Sequence, residues 1–362
     1  MNLLKAYACY NKNNELRMKS SSGAIFSSLA EFVFQKQGVV YGVAMSSDCY
    51  SAEFISVTDE EGLTRLRGSK YLQAKVGNAF KNVKADLLSG RTVLFTGTGC
   101  QVIGLRKYLG KEYENLICVD VICHGAPSPA LWREYAQHQE QKNGGKLNSI
   151  NFRCKDESWT GFGMKEVLED SIEGKSKKLF ISKDEDFYMQ MFLKNYCLRP
   201  SCYNCAAKTQ KISDLTIADF WGINEVEPEM SDGLGTSLVL IRTEKGRNIF
   251  DQISSGLKLK EVSYESGVKN NSAEFKSCTR PPQRDAFFKD MNSLSFENLE
   301  NKYTALIKKS IKSRIKGKIK STVKNVLRII GGGGQKVNDT SYGLLFAFDY
   351  QVKTNERDSS II

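Results

Sequence analysis

Two apolar runs, each closing on a cysteine with a helical pattern between them, constrain this chain more than any other feature. RTVLF (residues 91–95) leads into Gly97-Thr98-Gly99-Cys100, and NLICVDVIC (residues 115–123) ends at Cys123, followed by His124 and Gly125. Between them QVIGLRKYLG (residues 101–110) has helical spacing and a terminal glycine. Strand, helix and strand in this order imply a parallel pair whose carboxyl ends share one edge of a sheet, where ligands collect in open α/β folds. A Cys-x-x-Cys pair, Cys202 and Cys205, follows in LRPSCYNCAAK. Four thiolates brought to one edge are enough for an iron–sulfur cluster or a tetrahedral zinc. Read alone, the Cys-x-x-Cys pair also suits dithiol redox chemistry or plain burial.

With 362 residues the chain can bury a large core. Ten cysteines without a signal-peptide pattern or a long apolar span point to a cytoplasmic, reducing setting, and so to metal or redox use rather than disulfides. The net charge of +11 is concentrated: residues 301–330 hold ten Lys or Arg and no acid, leaving the remainder close to neutral. A nucleic-acid-binding core is therefore not expected. The charged stretch carries Ile307, Ile311, Ile315, Ile319, Val323, Val326 and Ile330 at helical spacing, with Lys308, Lys312 and Lys318 near the apolar arc. It reads as a basic amphipathic helix, suited to an anionic membrane face or an acidic partner, or packed on the body of the protein.

The pattern predicts an α/β fold of mixed character: a parallel or mixed sheet core, then a second strand-rich part carrying the Cys-x-x-Cys loop, then the basic helix. The boundaries are 1–146, 147–295, 296–330 and a Gly-led tail over 331–362. A helix is expected over 24–37, a strand from Gly38, a helical stretch over 59–89 broken at the Gly-Ser of LRGSKY (residues 66–71), and strands in DLTIADF and TSLVLIRT. Ser20-Ser21-Ser22-Gly23 offers hydroxyls and backbone N–H groups at a helix start, suited either to a pyrophosphate or to capping. Gly97 to Cys100 follows the same logic, its glycines admitting a cofactor, and Arg67 and Lys70 in LRGSKY add a cationic pair. His124 can move protons beside a redox centre, or simply finish a strand. Cys9, Cys49, Cys118, Cys154 and Cys278 read as core or incidental cysteines, and Cys197 as a rival ligand.

RMKSSSGAIF, LRGSKYLQ, VLFTGTGCQVIGLR, VDVICHGAPSPALW, NFRCKDESW, LRPSCYNC, SDLTIADFWGI and GTSLVLI, in this order between about Lys5 and Arg284, resemble the coenzyme F420 hydrogenase/dehydrogenase beta-subunit family. The likeness is greatest to bacterial members found in surface-polysaccharide gene clusters. The resemblance implies an oxidoreductase holding FAD and a 4Fe-4S cluster, which links hydride exchange with an organic partner such as a deazaflavin to one-electron transfer. By motif, Cys100, Cys123, Cys202 and Cys205 would ligate the cluster, and Ser21, Ser22, Gly23, Ser69, Lys70, Thr98 and Arg153 would hold the flavin. The chain departs from the family at Gly99, where proline is usual, and at Ala24, where a second glycine is usual. Many members also carry a ferredoxin domain ahead of the first motif. Here only Cys9 precedes it, which implies a separate ferredoxin-like electron carrier. Two other readings remain open: a non-redox protein braced by zinc, and an enzyme modifying a sugar nucleotide.

Overall fold

A computed structural model describes residues 3–170 and 174–308. Its main body, which runs to Leu299, is built on an eight-stranded sheet. The first five strands are β1 (Lys5–Asn11), β2 (Val39–Met45), β3 (Ala52–Val57), β4 (Val93–Thr98) and β5 (Leu116–Val121). β6 (Lys146–Cys154), β7 (Gly163–Glu169) and β8 (Ser176–Ser182) form a separate antiparallel sheet. β9 (Leu215–Asp219), β10 (Ser237–Ile241) and β11 (Leu257–Val262) return to the large sheet, whose order is β11-β1-β10-β9-β5-β4-β2-β3. Strands from both halves of the chain thus alternate in one layer.

The centre, β2-β4-β5-β9, is parallel. β10 and β3 run against it, and β1, antiparallel to β10, runs with it. The central strands are apolar at successive positions because helices cover both faces. Leu94, Ile117 and Val119 pack with Leu29 and Val33 of the helix Ile25–Gln35. Val93, Phe95 and Cys118 pack with Val83 of the helix Ala79–Leu88 and with Val102 and Leu105 of the helix Gly99–Leu109. That last helix ends at Gly110, whose φ of 70° is the left-handed stop its sequence foretold.

Three differences from the sequence reading have physical causes. Residues 59–89 form two helices, Glu60–Leu66 and Ala79–Leu88, and the break expected at LRGSKY extends over the whole connection from 67 to 78. Between them the chain passes Gly68 and Gly77, both at positive φ, and Lys75 bridges to β3. Ser20–Ser22 do not cap the following helix: its N-cap is Ala24, at φ 65° and without a side-chain cap bond. Glycine is the residue that conformation favours. Finally, β1, β3 and β11 escape sequence reading because charged or polar residues interrupt them. In β11 the run Lys258, Lys260 and Glu261 is an edge strand protected by charge. No helix among the described residues is long and apolar enough to cross a membrane. The basic stretch lies outside the described residues from 309 onward, as does the tail over 331–362.

Candidate functional site

The carboxyl ends of β1, β4, β5 and β9 share one edge, and seven of the twelve candidate residues end or follow one of these strands. Ser21–Gly23 come after β1, Thr98–Cys100 end β4 and open a helix, Cys123 and His124 follow β5, and Asp219 closes β9.

Cys100 sits in the first turn of its helix, which is fixed by a capping box: Thr98 N donates to the Gln101 carboxamide at 2.8 Å, and the Thr98 hydroxyl bonds the same oxygen at 3.0 Å. The Cys100 sulfur lies 3.2 Å from Thr98 Oγ1 and is the exposed member of the cysteine group. The Cys-x-x-Cys turn, Pro200–Asn204 with Cys205 as its cap, is tied to the segment after β5. Arg199 N donates to Ala126 O at 2.9 Å, and Ala126 N donates to Cys202 Sγ at 3.4 Å. Lys208 Nζ donates to Cys123 O at 2.7 Å and also bonds Ala273 O.

These ties make Cys100, Cys123, Cys202 and Cys205 electrostatic neighbours. Burial pushes the Cys123 thiol up to about 12; the Lys208 ammonium pulls it down, while Cys100, Cys202 and Cys205 push it further up. Cys202 is also raised by burial, with Cys100 and Cys205 adding to it. Among the described residues no three His, Cys, Asp or Glu side chains are drawn close enough to hold a metal ion as they stand. The four sulfurs are neighbours held apart.

A fifth cysteine joins them. Cys278 donates to His124 O at 2.5 Å, and its thiol, pushed up to about 11 chiefly by burial, feels Cys202 and Cys205. It stands alone in a polar loop, so no spacing in the sequence signals it. Cys197, the rival ligand, is fully buried with its thiol raised to about 12 by burial. His124 is half-buried, edge-on to Phe192 with ring centroids 5.0 Å apart. Burial lowers its pKa, against the opposing bonds to Asn195 and the Phe192 backbone.

The residues assigned to a flavin fall into two groups. In the first, Ser69 N donates to Ser21 Oγ at 3.0 Å, and Lys70 turns its ammonium into its own loop, on Arg65 O (2.9 Å) and Arg67 O (2.6 Å). Burial brings Lys70 down to about 7. Arg67 pairs with Glu60, so the expected cationic pair is turned onto protein groups. In the second group, Ser22 Oγ donates to Thr236 O at 2.9 Å and Gly23 N donates to Ser237 Oγ at 2.9 Å. Arg153, 3% exposed, meets Asp219 at 3.1 Å and stacks on Phe162 and Trp221 at 4.0 and 4.8 Å. Its Nε and Nη2 have no protein partner, while Trp159 Nε1 lies beside the Asp219 carboxylate.

Sequence reading missed several residues around this arginine. Lys155, lowered to about 8 by burial, donates to Leu234 O at 2.6 Å and Ser22 O at 3.3 Å. Trp159 stacks on Trp221 at 5.3 Å. Arg17, buried, forks onto Asp232 at 2.6 and 2.7 Å. The i, i+2 spacing of Arg153 and Lys155 was the available signal, since it places both on one side of an extended chain. Gly97 and Gly99 also differ from expectation. A Cβ on Gly97 would meet Gln101 at 2.9 Å, and one on Gly99 would meet Ala207 Cβ at 2.9 Å. Protein, rather than open space for a cofactor, fills those sides. A cavity of about 700 Å³ lined by Tyr50, Glu140, Lys146 and Asn148 includes none of the candidate residues.

No curated protein matches this chain. A structure of the F420-reducing NiFe hydrogenase complex from Methanosarcina barkeri, obtained for xenon derivatization, has a similar fold. The TM-score is 0.50 at 15% identity, over 75% of this chain and 88% of that one. Residues 6–81 match the model for the N-terminal part of the coenzyme F420 hydrogenase/dehydrogenase beta subunit, and residues 90–266 match the model for its C-terminal part. With both parts present in order over most of its length, the chain belongs to the coenzyme F420 hydrogenase/dehydrogenase beta-subunit family.

Proposed function

We propose that this protein is an FAD- and 4Fe-4S-dependent oxidoreductase, exchanging a hydride with an organic partner and single electrons with a separate ferredoxin-like carrier. The observation that carries the reading is the convergence of Cys100, Cys123, Cys202 and Cys205 in one electrostatic neighbourhood at the carboxyl edge of the sheet. Four thiolates form the donor set of such a cluster. The orphaned donors on Arg153, buried against Asp219, fit a polar, anionic or heteroaromatic ligand at the same edge.

When bound, a flavin would supply the conversion between two-electron and one-electron chemistry. The chain's own part is positional. Lys208 fixes the Cys123 carbonyl, and Ala126 N points a hydrogen bond at Cys202, a contact that favours its thiolate. Arg153 keeps a charge in a desolvated place, balanced by Asp219. Ser22 and Lys155 hold the turn after β1 against the 234–237 segment.

The test is an anaerobic absorption spectrum with iron, zinc and flavin analysis. About four irons per chain with bound flavin, and loss of iron in Cys202→Ser, is the expected result. One zinc per chain without iron or flavin refutes it and leaves the thiols as a structural brace.

A further inference from the structure

The segment bearing the Cys-x-x-Cys turn and the segment after Glu274 are stitched side by side. Cys205 N donates to Ser277 Oγ at 3.0 Å, and Lys211 Nζ donates to Glu274 O at 2.6 Å. Neither stretch contains an acid: residues 187–213 and 275–284 hold seven Lys or Arg and no Asp or Glu. Some of these cations are committed inward, as Arg284 is to Leu198 O at 2.8 Å. Arg199 and Lys276 face solvent; Arg280 is exposed too but pairs with Asp285 at 2.5 Å, as Lys211 pairs with the Glu274 carboxylate at 3.0 Å. Among them stand two uncovered apolar side chains, Phe275 (53% exposed) and Ile212 (38% exposed). The thiols reach the surface nearby, Cys202 and Cys205 half-buried and Cys100 exposed.

An exposed aromatic side chain in joined segments that carry several cations and no acid, and that also bear Cys202, Cys205 and Cys278, has the make-up of an interface: an apolar anchor, a charged rim and nearby redox-capable atoms. We propose that residues 199–212 and 275–280 form the docking face for a small acidic protein that carries one electron at a time. This rests on the redox reading above and adds to it the place and charge of the partner. The local excess of positive charge steers an acidic surface toward the thiols and disfavours a basic one.

The test uses the full chain and two probes, an acidic two-cluster ferredoxin and an acidic flavodoxin. Binding is measured by calorimetry at about 25 mM and about 300 mM salt, between which the Debye length falls from roughly 20 to roughly 6 Å. At low salt, Lys276→Glu with Arg280→Glu is expected to weaken binding of at least one probe about tenfold or more, and at high salt by less than about threefold. Phe275→Ser is expected to cost about tenfold at both salts. Lys258→Glu, on β11, leaves binding unchanged. If neither probe binds, or the double charge reversal binds like wild type, the docking face is wrong. Iron and flavin analysis of the same samples separates the two failures. Protein lacking both refutes the redox reading, whereas loaded protein indifferent to charge reversal refutes only the docking face.

Discussion

Gly99 and Ala207 offer a direct check on how the Cys-x-x-Cys segment is held against the helix of Cys100. A Cβ added to Gly99 would sit 2.9 Å from Ala207 Cβ and 3.0 Å from Asp120 Oδ2. Methyl groups rest at about 3.8 Å, so Gly99→Ala forces an overlap of roughly 0.9 Å. The Asp120 carboxylate cannot yield, because Ser213 and Thr216 hold it at 2.8 and 2.5 Å. Ala207 must move instead, and it lies two residues from Cys205. Overpacking of this kind costs about 1–3 kcal/mol. The better helix propensity of alanine returns less than about 1 kcal/mol. The net expectation is a loss of about 1–2 kcal/mol. Ala207→Gly alone removes one buried methyl and costs about 1 kcal/mol. Combined, the two changes exchange one methyl for another across the same contact, and the pair should recover about 1–2 kcal/mol relative to the sum of the singles. The assay is urea unfolding of the four proteins in the metal-free state, followed by iron uptake on reconstitution. A double variant whose loss equals that sum within about 0.5 kcal/mol would refute the packing argument.

The remaining predictions concern charge. Burial raises Glu166 to about 7, and it shares the Tyr135 hydroxyl with Asp186 at 2.9 and 2.6 Å. A carboxyl raised on folding stabilises fully below its unfolded value near 4.5 and loses that contribution as pH climbs through about 7, on the order of 3 kcal/mol in all. Glu166→Gln should flatten the fall in urea midpoint between about pH 5 and 7.5, and a slope like that of wild type would contradict the assignment. Glu274, fully buried, pairs with Arg242 at 2.5 Å and Lys211 at 3.0 Å. Glu274→Ala strands both cations and should cost about 3–5 kcal/mol in chemical denaturation; a loss below about 1 kcal/mol would show that the cations relax to water. Arg153→Met should release flavin, measured by absorbance after gel filtration, while Arg153→Lys retains part of it. Full retention in the Met variant removes Arg153 from the flavin site.

The central fold was legible because β4 and β5 are buried on both faces, so their apolar runs have no competing reading. The cysteine neighbourhood was legible for the same reason, since parallel strands place Cys100 and Cys123 at one edge. What stayed hidden depends on tertiary pairing. β1 mixes Lys, Tyr, Cys and Asn, and is a strand because β10 and β11 flank it. Cys278 is brought in by a loop contact with His124 rather than by any spacing. Lys70 looked like a ligand-binding cation, but its loop closes around it. Sequence gives the charge of such a residue and not its direction.

The position of β1 has a consequence for the order of assembly. Lys5 lies opposite Ile241 and Ala6 opposite Val262, so this strand waits for partners made more than two hundred residues later. Such long-range pairing makes folding slow and leaves unpaired strand edges exposed meanwhile. Ser21–Gly23 depend on Thr236 and Ser237 for their hydrogen bonds, so the turn after β1 takes shape only when this closure occurs. On a ribosome the site is therefore completed late, and chains stalled before β10 would expose four of the five clustered thiols to oxidation.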